Sequence, residues 1–266
     1  MSIAILGAGV MGSTLLSAFL RAGHSAVDIT ISDKVAARRD EVAAAHDVTA
    51  ADPAAATRGA TVVLLAVKPQ DMRALLREIG GFVEPGALVI SIAAGISTEF
   101  LEEHLPQGTS VVRVMPNTPA LVDQAMSALA LGQHCSAEHA AQAEALLATV
   151  GRVVTLDEQH LDAVTALSGS GPAYIFYVVE AMIEAGVLLG LPRVTATELV
   201  VQTLYGAATV LRETGQHPTV LREQVSSPGG TSVAALRELE DHKVRAAFMT
   251  AIEAAARRSR ELSASD

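Results

Sequence analysis

Short apolar segments alternate with amphipathic segments through the first 156 residues. The pattern predicts strands over residues 2–6, 28–32, 61–67, 87–93 and 110–115, and helices over residues 10–22, 34–45, 98–104 and 137–150, with Pro69 at the start of a further helix. Residues 127–131 are expected to form an edge strand and residues 151–155 to close the sheet. Strands that are apolar on both faces and separated by helices are typical of a parallel sheet covered on both sides. The sequence therefore predicts an α/β domain with a doubly wound sheet over residues 1–156.

The pattern changes after residue 157, where no convincing strand follows. Six helices are predicted over residues 157–167, 173–189, 193–214, 218–225, 232–239 and 243–262. Most of the breaks between them contain glycine or proline, as helix ends commonly do. The sequence thus predicts an all-α domain over residues 157–266.

The predicted helix over residues 173–189 is apolar on nearly all sides, and its only charged residues are Glu180 and Glu184. A helix that is apolar all round must be buried. A second copy of the chain would cover it, so we expect a homodimer in which this domain forms the interface. The alternative is that neighbouring helices of the same chain cover it.

The 266 residues carry 29 acidic and 19 basic side chains, for a net charge of −10 with histidine neutral. An acidic chain with 3% aromatic residues and no Trp is a poor candidate for binding nucleic acid. No apolar run approaches the roughly 18 residues that a membrane helix needs, so no membrane association is expected. The N-terminus enters an apolar strand at once, unlike a signal peptide. The single cysteine, Cys135, cannot form an intrachain disulfide and is expected to be a small, partly buried side chain. These features predict a cytoplasmic protein.

A glycine-rich segment, Gly7-Ala8-Gly9-Val10-Met11-Gly12, follows the first predicted strand and opens the first predicted helix. In this setting the first glycine permits a tight turn and the second lets the backbone approach a pyrophosphate. The third lets the helix pack closely on the sheet. The helix N-terminus adds unpaired N–H groups and the positive end of a dipole. The segment therefore predicts a dinucleotide-binding Rossmann domain.

The end of the second predicted strand carries conflicting signals about the dinucleotide. Ser32 is followed by Asp33, at the spacing of an acid that accepts hydrogen bonds from ribose hydroxyls, which favours NAD. Lys34, Arg38 and Arg39 could neutralise a 2′-phosphate, which favours NADP. The two arginines could equally belong to a solvated helix face. The cofactor is therefore predicted only as NADPH or NADH.

Two further loops follow predicted strands at their carboxyl ends, where ligands bind in such sheets. They are Ala66-Val67-Lys68-Pro69-Gln70 and Ala93-Ala94-Gly95. Lys68 is one of only three lysines, and it is either a ligand contact or a solvated loop residue.

A second glycine-rich segment, Ser226-Ser227-Pro228-Gly229-Gly230-Thr231-Ser232, joins two predicted helices. Thr231 or Ser232 is expected to cap a helix that begins near Val233. Consecutive amides at a helix N-terminus form an anion site that would suit a carboxylate, with hydroxyl groups beside it. The alternative is a capped helix start with no ligand.

Metal chemistry and a serine-hydrolase mechanism have no support in the sequence. The eight histidines are scattered and include no H-E-x-x-H pattern, so no metal is predicted. Ser168-Gly169-Ser170-Gly171-Pro172-Ala173 lacks the spacing of a nucleophile elbow. Its small residues would let another helix, or the nicotinamide end of a cofactor, approach closely.

Taken together, the motifs resemble the pyrroline-5-carboxylate reductase family over almost the whole chain. The blocks that carry the resemblance are residues 7–12, Ala66-Val67-Lys68-Pro69, Arg113-Val114-Met115-Pro116-Asn117-Thr118-Pro119, residues 167–174 and residues 225–232. The resemblance implies a Rossmann domain, a helical dimerisation domain, a homodimer that assembles further into a decamer, and reduction of 1-pyrroline-5-carboxylate to proline by NAD(P)H.

The resemblance also implies the residues of the site. Those expected to bind the cofactor are Gly7, Gly9, Val10, Met11, Gly12, Ser32, Asp33, Lys34, Ala66, Val67, Lys68, Pro69, Ala94 and Asn117. Those expected to bind the substrate are Val225, Ser227, Gly229, Gly230, Thr231 and Ser232. Thr231 and Ser232 are the expected catalytic residues, and Ser232 takes the position next to the imine nitrogen where the family usually has threonine.

Two alternatives remain beside imine reduction. A β-hydroxyacid dehydrogenase would need a catalytic lysine on the helix that opens the second domain, but no lysine occurs between Lys68 and Lys243. A non-catalytic dinucleotide sensor would keep residues 7–12 without needing the anion site at residues 226–232.

Overall fold

The computed structural model describes residues 1–263 and divides the chain into two compact units. Of the described residues, the first unit contains Met1–Ser170 together with residues 255–263, and the second contains Gly171–Ala254. The last helix therefore starts in the second unit and ends in the first.

The first unit is built on an eight-stranded sheet with the strand order β3-β2-β1-β4-β5-β6-β7-β8. The strands are β1 Ile3–Leu6, β2 Ile29–Ser32, β3 Thr49–Ala50, β4 Val62–Leu65, β5 Leu88–Ser91, β6 Ser110–Met115, β7 Ala125–Leu131 and β8 Gly151–Thr155. From β3 to β6 all neighbouring strands are parallel. The chain starts in the middle of the sheet and winds outward in both directions, so the carboxyl ends of β1 and β4 mark the point where the strand order reverses.

Helices cover both faces of this sheet. Those of the first unit are α1 Val10–Arg21, α2 Ala36–His46, α3 Pro53–Thr57, α4 Pro69–Ile79, α5 Thr98–His104, α6 Ala137–Leu147 and α7 Leu161–Val164. One core joins the sheet to α1, α2 and α6 through residues such as Phe19 and Leu146. The other joins it to α3, α4 and α5 through residues such as Leu76 and Leu101. The prediction of a doubly wound Rossmann sheet is confirmed.

The prediction that residues 127–131 form an edge strand is wrong. β7 lies between β6, with which it pairs antiparallel, and β8, with which it pairs parallel. Only residues 116–124 connect β6 to β7. A connection this short suits an antiparallel neighbour, because a parallel one would need a longer crossover. β8 is therefore the strand at this edge of the sheet.

Two elements of the first unit were not predicted, namely β3 and α3. β3 has two residues and α3 has five, so neither is long enough to show a hydrophobic period. Local chemistry still explains α3, because the Asp52 side chain accepts a hydrogen bond from the amide of Ala55, and Pro53 fits the first helical turn.

The prediction of one regular helix over residues 157–167 is also wrong. A 3₁₀ turn over Glu158–His160 leads into the four-residue α7, and a π-helical turn then covers Thr165–Gly169. The amide of Ser170 donates to the carbonyl of Thr165, five residues earlier, which is the bond that defines this turn.

Five helices follow the π-helical turn: α8 Gly171–Leu188, α9 Arg193–Thr214, α10 Pro218–Gln224, α11 Thr231–Asp241 and α12 Val244–Ser263. At the tight connection between α8 and α9, a Cβ on Gly186 would lie 3.0 Å from the Ala196 Cβ, and Arg193 forms an ion pair with Glu184. A hydrogen bond from Ser259 to Asp162 attaches the end of α12 to the first unit.

The neighbouring helices of the same chain do not cover α8, which has no buried residue. Phe176 is 66% exposed, Tyr177 74% and Leu188 87%. The exposed apolar side chains of α8 are therefore left for a partner such as a second copy of the chain.

Two helical stretches, Glu158–Leu188 and Arg193–Thr214, are long and apolar enough to cross a membrane by length and composition alone. The expectation that no apolar segment approaches this length is therefore wrong. Mean hydropathy over a helix tolerates isolated charged residues such as Glu180 and Glu184, whereas counting uninterrupted apolar residues does not. The buried core helix of a soluble protein passes the same test.

Candidate active site

The three glycines of the loop between β1 and α1 have different surroundings. Gly7 has a φ of +119°, and a Cβ there would lie 2.5 Å from the carbonyl oxygen of Ala66. A Cβ on Gly12 would lie 1.9 Å from the carbonyl oxygen of Gly7, so only glycine lets α1 approach this closely. A Cβ on Gly9 would meet nothing within 4 Å. The loop is therefore closed at Gly7 and Gly12 and open at Gly9, the position at which a pyrophosphate approaches in this motif.

The N-terminus of α1 is open to a ligand. Gly9 is its N-cap residue, and no side chain accepts a hydrogen bond from the first-turn amides. The first amides of a helix have no partner within the helix. With the helix dipole, these amides form a site that fits an anion such as the pyrophosphate of a dinucleotide.

Asp33 holds the glycine loop in place from the end of β2. Its Oδ2 accepts a hydrogen bond from the amide of Ala8 at 2.8 Å, and its Oδ1 accepts one from the amide of Val35 at 2.8 Å. Arg38 lies 3.7 Å from the same carboxylate, whose side chain is only 8% exposed. The expected contact between Asp33 and a ribose stays a prediction, because the described contacts of this carboxylate are to the chain itself.

A cavity of about 140 Å³ lies beside the glycine loop, at the carboxyl ends of β1, β2 and β4. Its lining includes Gly7, Ser32, Lys34, Val67 and Asp71. The Ser32 hydroxyl is buried without a hydrogen-bond partner, and the Lys34 ammonium binds both carboxylate oxygens of Asp71 at 2.7 and 2.8 Å. An unpartnered hydroxyl in a cavity at the switch point fits the nucleoside part of a dinucleotide. Asp71 is a residue of this cavity that the motifs did not indicate.

The loop after β4 has the geometry expected from its proline. Pro69 is the first residue of α4, where its missing N–H costs nothing, and Lys68 is exposed at the N-cap position. Ala66 lies against Gly7, and Val67 lines the cavity.

The loop after β5 places Ala94 on the surface and turns at Gly95, which has a φ of +82°. A Cβ on Gly95 would lie 3.5 Å from the amide nitrogen of Ser263, so the end of α12 packs beside this loop.

Asn117 lies just after β6, and its side-chain amide is bonded to the chain on both sides. Its Oδ1 accepts from the amide of Met126 at 2.9 Å. Its Nδ2 donates to the hydroxyl and the carbonyl of Ser168 at 3.2 and 3.3 Å. The expected contact between Asn117 and the cofactor stays a prediction.

The second glycine-rich segment connects α10 to α11. Gly229 has a φ of +69°, and the amide of Gly230 donates to the carbonyl of Ser227 at 2.9 Å. A Cβ on Gly230 would lie 2.6 Å from the Ser227 hydroxyl oxygen. The positive φ of Gly229 favours glycine in this turn, and the close approach at Gly230 leaves little room for a side chain beside Ser227.

The prediction that Thr231 or Ser232 caps a helix beginning near Val233 is wrong. α11 begins at Thr231 itself, its N-cap residue is Gly230, and no side chain caps it. Glycine can take the N-cap conformation but has no oxygen to offer the amides. The first-turn amides are consequently left for a ligand, and Thr231 and Ser232 stand at the first two helical positions.

The side chains around this helix start are accessible. Val225 is 70% exposed, Ser227 and Thr231 are exposed, and Ser232 is half-buried. All predicted cofactor residues lie in the first unit and all predicted substrate residues lie in the second. Within residues 1–263, no group of three or more His, Cys, Asp or Glu residues is placed to hold a metal ion.

A partly buried ion pair links β6 to the segment before α7 in the first unit, and the sequence motifs gave no sign of it. Arg113 on β6 is bonded to Glu158 at 3.0 Å, and the Glu158 carboxylate also accepts from the amide and the hydroxyl of Thr98 at the start of α5. The three partners come from three separate segments, which only the folded chain brings together.

A glycine loop of this geometry at the switch point of a doubly wound sheet, followed by a separate helical unit, places the chain in the class of two-domain proteins with a dinucleotide-binding Rossmann domain. Two family models match the chain: the NADP oxidoreductase, coenzyme F420-dependent family over residues 2–95, and the pyrroline-5-carboxylate reductase dimerisation family over residues 158–262.

Relatives of known identity match nearly the full length. A pyrroline-5-carboxylate reductase of Corynebacterium melassecola is 45% identical over 265 residues, covering 98% of each chain. The structure of a pyrroline-5-carboxylate reductase from Coxiella burnetii has a TM-score of 0.92 at 35% identity, covering 98% of each chain. That of Plasmodium falciparum pyrroline carboxylate reductase with NADP bound has a TM-score of 0.89 at 26% identity, covering 99% of this chain and 98% of that one. The chain belongs to the pyrroline-5-carboxylate reductase family.

Proposed function

We propose that this chain catalyses the NAD(P)H-dependent reduction of 1-pyrroline-5-carboxylate to L-proline. The observation that carries this function is the pair of uncapped helix N-termini, each preceded by a glycine. α1 begins after Gly9 and suits a pyrophosphate, and α11 begins after Gly230 and suits a carboxylate. A dinucleotide and a small acid are the two reactants of this reaction, and family membership supports the assignment.

The α11 start supplies what the substrate requires. The amides of its first turn hold the ring carboxylate, while the hydroxyls of Thr231 and Ser232 stand beside them at the first two helical positions. When bound, NAD(P)H supplies the hydride that adds to the carbon of the C=N bond. The Ser232 hydroxyl oxygen accepts a hydrogen bond from the N–H of the protonated ring imine, whose nitrogen becomes the secondary amine of proline.

Strong acid catalysis is not required. The protonated imine is already a good electrophile near neutral pH, so its nitrogen brings the proton that it keeps in the product. The protein then contributes orientation of the reactants and a hydrogen bond, each of which can lower the activation barrier substantially. This agrees with a substrate loop that offers amides and hydroxyls and carries no charged side chain.

NADPH is the proposed preferred form of the cofactor. Each carboxylate oxygen of Asp33 already accepts a hydrogen bond, one from the amide of Ala8 and the other from the amide of Val35. These bonds weaken the case for Asp33 as an acceptor for ribose hydroxyls. Arg38 stands half-exposed beside it and offers a cation to a 2′-phosphate. The matching family model of NADP oxidoreductases and the NADP bound to the Plasmodium relative support the same choice.

Assembly and location are further parts of the proposal. The chain forms a homo-oligomer, as its dimerisation domain requires. The proposed unit is a homodimer that assembles into a decamer in the cytoplasm, with no membrane or nucleic-acid partner. The exposed apolar residues of α8 support a protein interface, and the net charge of −10 supports the absence of nucleic acid. A division into domains 1–156 and 157–266 is supported by the start of the dimerisation match at residue 158.

The test is steady-state reduction of 1-pyrroline-5-carboxylate with NADPH and with NADH, for the natural chain and for Ser232→Ala. Loss of one positioned hydrogen-bonding group costs roughly 100-fold in kcat, so a fall of this order in kcat/KM is expected for Ser232→Ala. Thr250→Ala is the matched control, because that hydroxyl bonds to its own helix at the carbonyl of Ala246. A natural chain without imine reduction, and without saturable binding of proline, would identify a dinucleotide sensor instead.

A further inference from the structure

Asn117 is the only asparagine in the chain, and its amide joins two segments of the first unit. Its Oδ1 accepts from the amide of Met126 on β7, and its Nδ2 donates to the carbonyl and the hydroxyl of Ser168 in the π-helical turn. These partners fix the orientation of the amide. If the amide were flipped, its NH₂ group would face the N–H of Met126 and its oxygen would face the carbonyl oxygen of Ser168.

The carbonyl of Ser168 lacks its usual helical donor because a proline lies four residues later. In a regular helix it would accept from the amide of the residue four positions later, which is Pro172. Proline has no N–H, so that bond cannot form. The Asn117 amide donates to this carbonyl in its place and replaces a helical hydrogen bond that the sequence itself forbids.

The same turn is fitted to the end of β6 on its other side. A Cβ on Gly169 would lie 2.4 Å from the terminal methyl carbon of Met115, so the absence of a side chain at Gly169 lets the turn pack against this methionine. Met115 therefore packs against Gly169, and Asn117 hydrogen-bonds to the adjacent residue, Ser168. π-helical turns within helices are frequent at functional sites.

The position of the turn beside the end of β6 indicates which part of the site these contacts support. β6 lies on the β4 side of the switch point, in the half of the sheet opposite the Asp33 cavity at β2. In doubly wound sheets the two halves each hold one mononucleotide of the cofactor, so the carboxyl end of β6 belongs to the nicotinamide half. The turn over Thr165–Gly169 ends immediately before α8, in the run of small residues that starts at Ser168.

We propose that Asn117 is a positioning residue that sets the π-helical turn over Thr165–Gly169 beside the carboxyl end of β6, at the nicotinamide end of the cofactor site. The inference rests on the proposed reductase function. In this proposal the Asn117 side chain acts through Ser168, in place of the cofactor contact that the resemblance implies, so its removal slows hydride transfer without weakening cofactor binding.

The experiment compares the natural enzyme with Asn117→Ala and Asn117→Asp in full steady-state kinetics with 1-pyrroline-5-carboxylate and NADPH, together with thermal unfolding. The aspartate keeps the acceptor for Met126 but cannot donate to Ser168 when ionised. Displacing a catalytic arrangement by about 1 Å costs up to roughly 100-fold, so kcat is expected to fall by roughly 10- to 100-fold in both variants. KM for NADPH should stay within about twofold, a change of less than 0.5 kcal/mol. Gln124→Ala, an exposed side chain in the same connection, is the control and should match the natural enzyme.

A second comparison tests the stated cause. Pro172→Ala restores an N–H four residues after Ser168, so Asn117→Ala should lower kcat less in the Pro172→Ala background than in the natural one. An equal loss in both backgrounds contradicts the assignment. So does a rise in KM for NADPH with kcat retained, which would make Asn117 a cofactor ligand, or a lower Tm with both kinetic constants retained, which would make it purely structural. A natural enzyme that does not reduce the imine defeats the proposed function itself, an outcome separate from these.

Discussion

The Asp33 carboxylate accepts a hydrogen bond from the backbone amide of Ala8, which lies 25 residues earlier in the chain, at 2.8 Å. This bond attaches the glycine loop to the end of β2. It gives Asp33 a role in shaping the pyrophosphate site that is separate from any contact with the ribose.

Replacement of Asp33 by alanine is expected to weaken binding of NADPH and NADH by a similar factor. A hydrogen bond to a charged group contributes about 1.5–3 kcal/mol, so KM for each cofactor should rise by roughly tenfold or more. Steady-state kinetics with the two cofactors measure this directly. A selective loss of NADH activity would instead identify Asp33 as the ribose acceptor.

Arg38→Ala is expected to raise KM for NADPH and to leave KM for NADH nearly unchanged, because only NADPH carries the 2′-phosphate. Arg39→Ala is the matched control on the same helix, since its guanidinium pairs with Asp40. An equal effect of Arg38→Ala on both cofactors would contradict the proposed NADPH preference.

Alanine at Gly9 and alanine at Gly12 should have opposite effects on stability and on binding. The space at Gly9 is open, so Gly9→Ala should fold with a Tm near that of the natural chain but bind the cofactor about tenfold more weakly or worse, a loss of at least about 1.4 kcal/mol. Gly12→Ala places a Cβ against the carbonyl of Gly7 and should cost about 1–3 kcal/mol of stability. Thermal unfolding and cofactor titration of the two variants separate the effects. Equal losses of stability would contradict the geometry of the loop.

The ion pair between Arg113 and Glu158 should be sensitive to removal of either partner. Breaking a fully buried pair costs 3–5 kcal/mol, and the partial exposure of Glu158 reduces this to about 1–3 kcal/mol for Arg113→Met. Urea unfolding of the first-unit transition measures the loss. Each single variant leaves one charge without its partner, whereas the double variant Arg113→Met with Glu158→Gln leaves none. The double variant should therefore lose less stability than the two single losses added together. Additive losses would show that the two side chains do not interact.

A charge on the exposed apolar face of α8 should prevent oligomer formation. Phe176→Glu would place a carboxylate in the interface that covers this helix, and the assembly should dissociate towards monomers. Size-exclusion chromatography with light scattering measures the mass. Val27→Glu, at an 85% exposed position in the first unit, is the control and should leave the mass unchanged. An unaltered mass for Phe176→Glu would place the interface elsewhere.

Cys135 should react slowly with alkylating reagents in the folded protein. Burial raises the pKa of its thiol, whose Sγ also donates to the carbonyl of Val111 at 3.0 Å. The raised pKa keeps the thiol protonated at neutral pH, while the thiolate is the reactive form. Iodoacetamide labelling followed by mass spectrometry should therefore be slow in buffer and fast in denaturant. Rapid labelling of the folded chain would contradict this environment.

Features that depend on local pattern could be predicted from the sequence alone. Apolar strands between amphipathic helices predicted the doubly wound sheet, and glycines at fixed spacing predicted the turn at residues 7–12. The apolar helix after Pro172 predicted a surface that needs a partner. Each of these signals is contained in a few adjacent residues, where backbone dihedrals and hydrophobic period act directly.

Tertiary structure decided which distant groups meet. The amide of Asn117 and its partner Ser168 are 51 residues apart, and Arg113 and Glu158 are 45 residues apart. The interior position of β7 likewise depends on its pairing with β8, which no property of residues 127–131 specifies. Such contacts follow from the packing of the whole sheet, because a side chain can bond to several partners of similar strength and only the fold determines which one lies within reach.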